Sequence, residues 1–267
     1  LDIGVAASIV AAPLAVGQRV FVAPNMGWRN VPAAALVRAQ LDGSLLEGLP
    51  LFVQNEADVA ALAEFEFVSR HGSGPGADPL VYLSLGHGVG AGVIVRDKLL
   101  TGYRGFAGEV GHTILQAAGP QCSCGRRGCA EALIGLRALV GGAPGDAPAK
   151  SKKALDKFFA AVDAGNAPAL KAVQAAGKHL GMLLNNLWVS YDPMRIVLGG
   201  PALRLGDALL DPARKVLAAY ADAAQLPAPA IEPSHYGTEA VAVGAAALVR
   251  YMLTRPITQQ SNHGMKV

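Results

Sequence analysis

The segment GFAGEVGH at residues 105–112, followed by GPQCSCGRRGCAE at residues 119–131, decides how this chain folds. It contains four potential metal ligands, namely His112, Cys122, Cys124 and Cys129. Thiolates and imidazole are preferred ligands of zinc, and four of them complete a tetrahedral structural site. A catalytic zinc keeps one position open. The pattern therefore predicts a structural Zn²⁺ that shapes a loop and performs no chemistry.

The alternative is three unrelated buried thiols beside a histidine of the core. It is disfavoured because the chain has 3 cysteines, all of them inside residues 122–129. The same odd, clustered set argues against a disulfide framework. A reducing cytoplasm is therefore the expected location.

Composition describes an ordinary globular protein. The chain has 267 residues, of which 52% are apolar and 16% charged, and its net charge is +3. Without a basic cluster, it offers no nucleic-acid surface of its own. No apolar run reaches transmembrane length, so no membrane is expected as a partner. The run at residues 4–16 lacks a preceding basic segment and is divided by Pro13, which favours two short buried strands over a signal peptide.

Segments rich in valine and isoleucine alternate with helical patterns. Strands are predicted at 19–23, 51–53, 80–85, 91–95, 98–100, 195–200 and 230–234. Helices are predicted at 31–41, 57–69, 130–140, 152–164, 167–190, 202–221 and 239–253, and loops at 71–79 and 119–129. This alternation predicts an α/β fold with a mostly parallel sheet and a ligand cleft between two lobes.

The zinc segment resembles that of the ROK family, which groups repressors, uncharacterised open reading frames and sugar kinases. Four further segments resemble the family: APNMGW at 23–28, VQNEADVAALAE at 53–64, LGHGVGAGVIV at 85–95 and IVLGGP at 196–201. The resemblance implies a two-lobed, actin-like fold of the sugar-kinase, hexokinase-like and ribonuclease H-like type. It also implies a homodimer or homotetramer. The family resemblance implies that residues 1–100 are the remainder of an N-terminal lobe that lacks its first strands. The zinc loop and C-terminal lobe would occupy residues 101–254, and a polar tail residues 255–267.

The resemblance further implies a shell of five sugar ligands, Asn55, Glu56, Glu109, His112 and Glu131. Carboxylates and amides can each satisfy one or two of the adjacent hydroxyls of a sugar. His112 would bind zinc through one ring nitrogen and a hydroxyl through the other. Asn55 and Glu56 also suit the start of a helix, as a cap and a first-turn acid, and both roles can hold together.

Two activities remain open within the family. In a kinase, Glu56 would be the catalytic base, and ATP with Mg²⁺ would be held by glycines of two turns, Gly86, Gly88, Gly90, Gly199 and Gly200. This chain departs from the kinase pattern because Glu56 stands in place of Asp and His87 in place of Thr. The Asp-x-Gly-Gly-Thr phosphate turn of the kinases is also missing from the sequence.

The missing turn is expected to lie upstream of Leu1 and is not counted, whereas Glu56 and His87 favour the sugar-sensing, effector-binding domain of a transcriptional regulator. Such a regulator would bind a small sugar here and operator DNA through an upstream region outside this chain. The chain starts with Leu1, so we expect the native start to lie further upstream. The alternative is an ATP-dependent glucokinase or N-acetylhexosamine kinase. A zinc hydrolase is disfavoured by the filled coordination sphere.

Overall fold

The computed structural model describes residues 15–16, 19–23, 28–69, 79–103, 105–142 and 148–254. The predictions for residues 4–14, for most of the loop at 71–79 and for the tail at 255–267 lie outside these residues. The described strands are β1 Ala15–Val16, β2 Arg19–Ala23, β3 Trp28–Val31, β4 Leu80–Leu85, β5 Val89–Val95, β6 Lys98–Leu99, β7 Arg195–Gly199 and β8 Ala230–Pro233. The described α-helices are α1 Ala33–Leu41, α2 Glu56–Ala63, α3 Ala130–Ile134, α4 Leu136–Leu139, α5 Pro148–Asp163, α6 Ala167–Tyr191, α7 Asp207–Ala224 and α8 Ala240–Thr254.

A five-stranded sheet of order β6-β5-β4-β7-β8 is the framework of the molecule. β4 pairs in parallel with β7, and β7 with β8, whereas β5 and β6 are antiparallel to their neighbours. The prediction of a mostly parallel sheet is thus wrong for β5 and β6. The physical reason is that short turns, at 86–88 and at 96–97, lead into β5 and β6, because turns of this length join antiparallel strands, while parallel strands need a longer crossover.

Helices cover both faces of this sheet. Successive side chains of a strand point to opposite faces. Accordingly, Leu80 and Tyr82 of β4 join a core with α2 and α8. Val81, Leu83 and Leu85 join the larger core with α6 and α7. The carboxyl ends of β4 and β7 and the start of α2 open onto one cleft, which holds the candidate site.

Most predicted elements are confirmed, with local corrections. Residues 51–53 are not part of a sheet within the described residues, although Leu51 is buried. The helix predicted at 130–140 divides into α3 and α4 at Gly135. The end of the helix predicted at 57–69 is a π-helix, Glu64–Ser69, and the helix predicted at 202–221 begins as the 3-10 turn Pro201–Leu205.

A smaller antiparallel sheet, β1-β2-β3, precedes the main one. Trp28 packs there against a small cluster that contains Val20 and Ala33, so it is a packing residue. The main sheet joins residues 80–99 to residues 195–233. Among the described residues, no helix is both long and apolar enough to cross a membrane.

Candidate functional site

The four predicted metal ligands lie together. The ligand atoms of His112, Cys122, Cys124 and Cys129 are all within 4.8 Å of one another. His112 comes from the 3-10 turn Val110–His112, and Cys129 precedes the first turn of α3. Backbone hydrogen bonds hold the loop closed, among them those from Cys122 to Arg126 and from Gly128 to Pro120, each 2.8 Å.

The spacing of these atoms suits zinc. The sulfurs of Cys124 and Cys129 are 3.7 Å apart, and Nδ1 of His112 is 3.7 Å from the sulfur of Cys122. Zinc–sulfur bonds of about 2.3 Å at tetrahedral angles place two sulfurs about 3.8 Å apart. The Cys₃His cluster is therefore compatible with a structural zinc ion in both donor set and geometry.

The other ring nitrogen of His112 faces an acid. Its Nε2 lies 4.0 Å from Oε2 of Glu109. Burial raises the pKa of Glu109 to about 8, the negative charge of Glu131 adds to this shift, and the positive charge of Arg126 opposes it. The ring of His112 thus lies between the Cys₃His cluster and an acid of the cleft.

Glu131 lies in the first turn of α3 and is 8% exposed. Its Oε1 accepts hydrogen bonds from Oγ of Ser123 at 2.9 Å and from Nη2 of Arg137 at 3.1 Å. Its Oε2 accepts a longer bond from the backbone N–H of Val89 at 3.4 Å. Glu131 is therefore a buried, ion-paired carboxylate, and a solvated surface charge is excluded.

Asn55 and Glu56 begin α2 at the wall of the cleft. The side chain of Asn55 caps the helix, because its Oδ1 accepts the N–H of Ala57 at 2.7 Å. Glu56 is exposed through the cleft, yet partial burial raises its pKa. Both the cap and the cleft-facing position are therefore present together.

The two predicted glycine turns face the same space. Gly86 and Gly88 belong to the β4–β5 turn, in which the N–H of Gly86 donates to the carbonyl of Gly88 at 2.9 Å, and Gly90 lies near the start of β5. The exposed His87 lies at its tip. The ring of Pro201, which follows Gly199 and Gly200, packs towards Gly86.

One cavity of about 530 Å³ brings these elements together. Nine of the predicted residues line it: Asn55, Glu56, Gly86, Gly88, Gly90, Glu109, His112, Glu131 and Gly200. Gly199 is not among the lining residues. A second cavity of about 220 Å³ shares Ser123 and Glu131 with the first and also contacts Arg137.

The sequence interpretation missed three residues of this region. Ser123 and Arg137 hold Glu131, and the buried Asp58 accepts a hydrogen bond from Gln54 at 3.0 Å. Burial raises the pKa of Asp58 well above its usual range, and the charge of Glu109 adds to this shift. The position of Ser123 between two predicted ligands was an available signal, whereas Arg137 carried none.

The fold and the site define a sugar-kinase-like α/β protein with a Cys₃His cluster. The sequence model of the ROK family matches residues 2–252. The chain belongs to the ROK family.

Both branches of the family are among its relatives. The chain is 33% identical over 215 residues to a glucokinase of Halalkalibacterium halodurans, covering 76% of this chain and 62% of that protein. It is 32% identical over 249 residues to a xylose repressor of Caldicellulosiruptor bescii, covering 86% of this chain and 58% of the repressor. The chain thus spans about three-fifths of the length of these two relatives.

Solved structures give the same result. A ROK glucokinase from Streptomyces griseus in complex with glucose and AMPPNP matches with a TM-score of 0.73 and 30% identity, over 89% of this chain and 78% of that one. A ROK transcriptional regulator, a homologue of the E. coli MLC protein, matches with a TM-score of 0.66 over 90% of this chain and 60% of that one. At 23% identity, the second match shows the fold alone.

Proposed function

We propose that this chain is the sugar-sensing, effector-binding part of a ROK-family transcriptional regulator. The observation that carries the proposal is Glu56 at the first turn of α2, facing the cleft where a kinase would need an aspartate base. Homology to both repressors and kinases supports sugar binding in general. The choice between the two activities rests on the residues of the cleft.

The proposal includes one structural Zn²⁺ held by His112, Cys122, Cys124 and Cys129. When bound, the ion supplies a fixed cross-link between the turn at 110–112 and the loop at 119–131. Glu109 and Glu131 flank these two segments, so the cross-link would fix the distance between the two acids. A structural zinc contributes folding free energy directly.

The sugar would lie in the large cavity against Asn55, Glu56, Glu109, His112 and Glu131. Each of these side chains ends in a group that can accept from or donate to a hydroxyl. The hydrogen bonds from Ser123 and Arg137 already fix Glu131, which reduces the entropy lost on binding. A pre-ordered polar wall of this kind suits a small ligand with several hydroxyls.

Phosphoryl transfer depends on positioning and on electrostatic stabilisation of the phosphates. Glu56 is one methylene longer than aspartate, and a misplacement near 1 Å can cost about 100-fold in rate. His87 occupies the tip of the turn where the kinase pattern has a threonine. The Gly86 N–H is bonded within its own turn, and Pro201 has no N–H to offer. These features disfavour ATP and Mg²⁺ as cofactors.

The wider proposal is a cytoplasmic homodimer or homotetramer that binds operator DNA through a region upstream of this chain. Its two lobes would divide at residue 100. The test is made on the full-length protein with its native N-terminus. We expect sugar to change operator binding in a gel-shift or anisotropy assay. Sugar-dependent ATP turnover without operator binding would instead identify a kinase.

A further inference from the structure

Two side chains from different segments of the chain hold the carboxylate of Glu131. Ser123 belongs to the metal loop, between Cys122 and Cys124, and Arg137 belongs to α4, beyond the break at Gly135. Both donate to the same oxygen, Oε1, at 2.9 and 3.1 Å. The Arg137–Glu131 pair is largely buried, with side-chain exposures of 15% and 10%.

The two carboxylate oxygens are therefore not equivalent. A carboxylate oxygen has about two lone-pair sites, and those of Oε1 are filled by Ser123 and Arg137. Oε2 has one long bond, at 3.4 Å from the N–H of Val89, and lies on the side of Gly88 in the cleft. A ligand can thus add a hydrogen bond to Glu131 through Oε2.

We infer that Ser123 and Arg137 are positioning residues that orient Glu131 so that Oε2 accepts one hydroxyl of the bound sugar. This inference rests on the proposed function. Ser123 and Arg137 both donate to this carboxylate, and its remaining oxygen, Oε2, can accept a hydrogen bond from a hydroxyl. The site therefore requires a hydroxyl hydrogen at one ring position and discriminates against a deoxy sugar or an O-methyl ether there.

The position of Ser123 makes the orientation of Glu131 depend on the loop that carries the cysteines. The cysteines on both sides of it are in the Cys₃His cluster, so the fold of that loop determines where the serine hydroxyl lies. Arg137 is placed independently, by the backbone bond from its N–H to the carbonyl of His87 at 3.4 Å. Loss of either anchor leaves the other in place, so the two can be tested separately.

The experiment compares Arg137→Met, Arg137→Lys and Ser123→Ala with the wild type by calorimetry. The probes are D-glucose, D-xylose and the monodeoxy derivatives of glucose. Arg127→Met is the matched control, because Arg127 is an exposed arginine of the metal loop that donates to Gln121. Zinc content and thermal melting are measured for every variant.

We expect Arg137→Met and Ser123→Ala each to weaken binding of the parent sugar about 10-fold or more, with zinc content unchanged. Arg137→Lys should retain part of the affinity. One monodeoxy glucose, which lacks the hydroxyl that meets Oε2, should bind the wild type and Arg137→Met equally.

Three outcomes would overturn the inference. Unchanged sugar affinity in both variants would show that the anchors do not matter. Equal losses for every deoxy sugar would show general damage instead of positioning. Absence of binding by the wild type to every probe would overturn the proposed function and this inference with it. Should Arg137→Met fail to fold, Ser123→Ala and Arg137→Lys still decide the question.

Discussion

Nε2 of His112 lies 4.0 Å from Oε2 of Glu109, while Nδ1 of the same ring faces the sulfur of Cys122. A metal on Nδ1 would leave the proton on Nε2, so the ring would present an N–H donor towards the acids of the cleft. The state of the metal site and the hydrogen bonding in the cleft are therefore linked through the ring of His112.

Metal content is the first prediction. We expect one zinc per chain in freshly purified protein, measured by atomic emission or mass spectrometry. Cys124→Ser should reduce zinc content, disorder the loop at 119–131 and remove sugar binding, because Ser123 and Glu131 both depend on that loop. Arg127→Ala, an exposed change in the same loop, is the control. Protein that contains no zinc when freshly purified would contradict the prediction.

Glu131 itself gives the second prediction. From the sequence, Glu131→Ala would abolish sugar binding with little loss of stability. The ion pair with Arg137 changes the expectation for stability. Glu131→Ala leaves a largely buried guanidinium without this partner, which should lower the free energy of unfolding by about 1–3 kcal/mol. Glu131→Gln keeps an acceptor and should lose affinity with a smaller loss of stability. Calorimetry and urea unfolding of both variants test this. Unchanged sugar affinity would show that Glu131 does not contact the ligand.

Gly88 gives a third prediction, with a control two residues away in β5. A Cβ at Gly88 would collide with the carboxylate of Glu131, whereas a Cβ at Gly90 meets the Cβ of Ala57 at an ordinary 3.5 Å. Gly88→Ala should therefore displace Glu131 and weaken sugar binding about 10-fold or more, since a charged hydrogen bond contributes about 1.5–3 kcal/mol. Gly90→Ala should leave sugar affinity near that of the wild type. Equal affinities for the two variants would contradict the described position of Glu131.

Asp58 gives the fourth prediction. Its pKa is raised in the folded state by burial and by Glu109, so the fold favours the neutral form. The stability that it contributes is present below the unfolded pKa, about 3.9, and is lost as pH rises through the raised folded pKa. Asp58→Asn keeps the shape without the charge and should raise Tm at neutral pH. A gain of 1 kcal/mol corresponds to about 2–4 °C.

The control for Asp58 is the pH dependence itself. At acidic pH, where aspartic acid and asparagine are both neutral, the two proteins should melt at similar temperatures. Scanning calorimetry at several pH values gives both comparisons. A lower Tm of Asp58→Asn at neutral pH would show that the ionised carboxylate stabilises the fold.

The sequence predicted those features that depend on local pattern. The four residues of the Cys₃His cluster lie within 18 residues of one another, and the structure brings them together as predicted. β4, β5 and α6 have strong periodicity, and their predicted bounds are close to the observed ones. The break at Gly135 was missed because the apolar spacing continues through it. It forms where the N–H groups of Leu136 and Arg137 donate to the carbonyls of Gly86 and His87, a contact 50 residues away in sequence.

The same limit applies to the site. Glu109, His112 and Glu131 were predicted from the family pattern and line the large cavity, and Ser123 has a position within that pattern. The roles of Arg137 and Asp58 could not be found, because each depends on a packing partner from another element. Sequence periodicity shows which face of a helix is buried, but it does not show which polar group meets it there.

The last prediction concerns catalysis. We expect the full-length protein not to phosphorylate sugars at a useful rate. Glu56 stands in place of the aspartate base of the kinases, and His87 stands in place of the threonine of their glycine turn. The costs of two such changes add when the sites are independent. ATP turnover is measured against glucose, N-acetylglucosamine and N-acetylmannosamine, with Glu56→Asp, His87→Thr and the double variant in parallel. A wild-type kcat in the ordinary kinase range of about 1–100 per second would overturn the regulator assignment. Activity that increases in the double variant would show that these two positions separate a sensor from a kinase. An inactive double variant that still binds sugar would place the difference elsewhere in the cleft, with Pro201 the next residue to change.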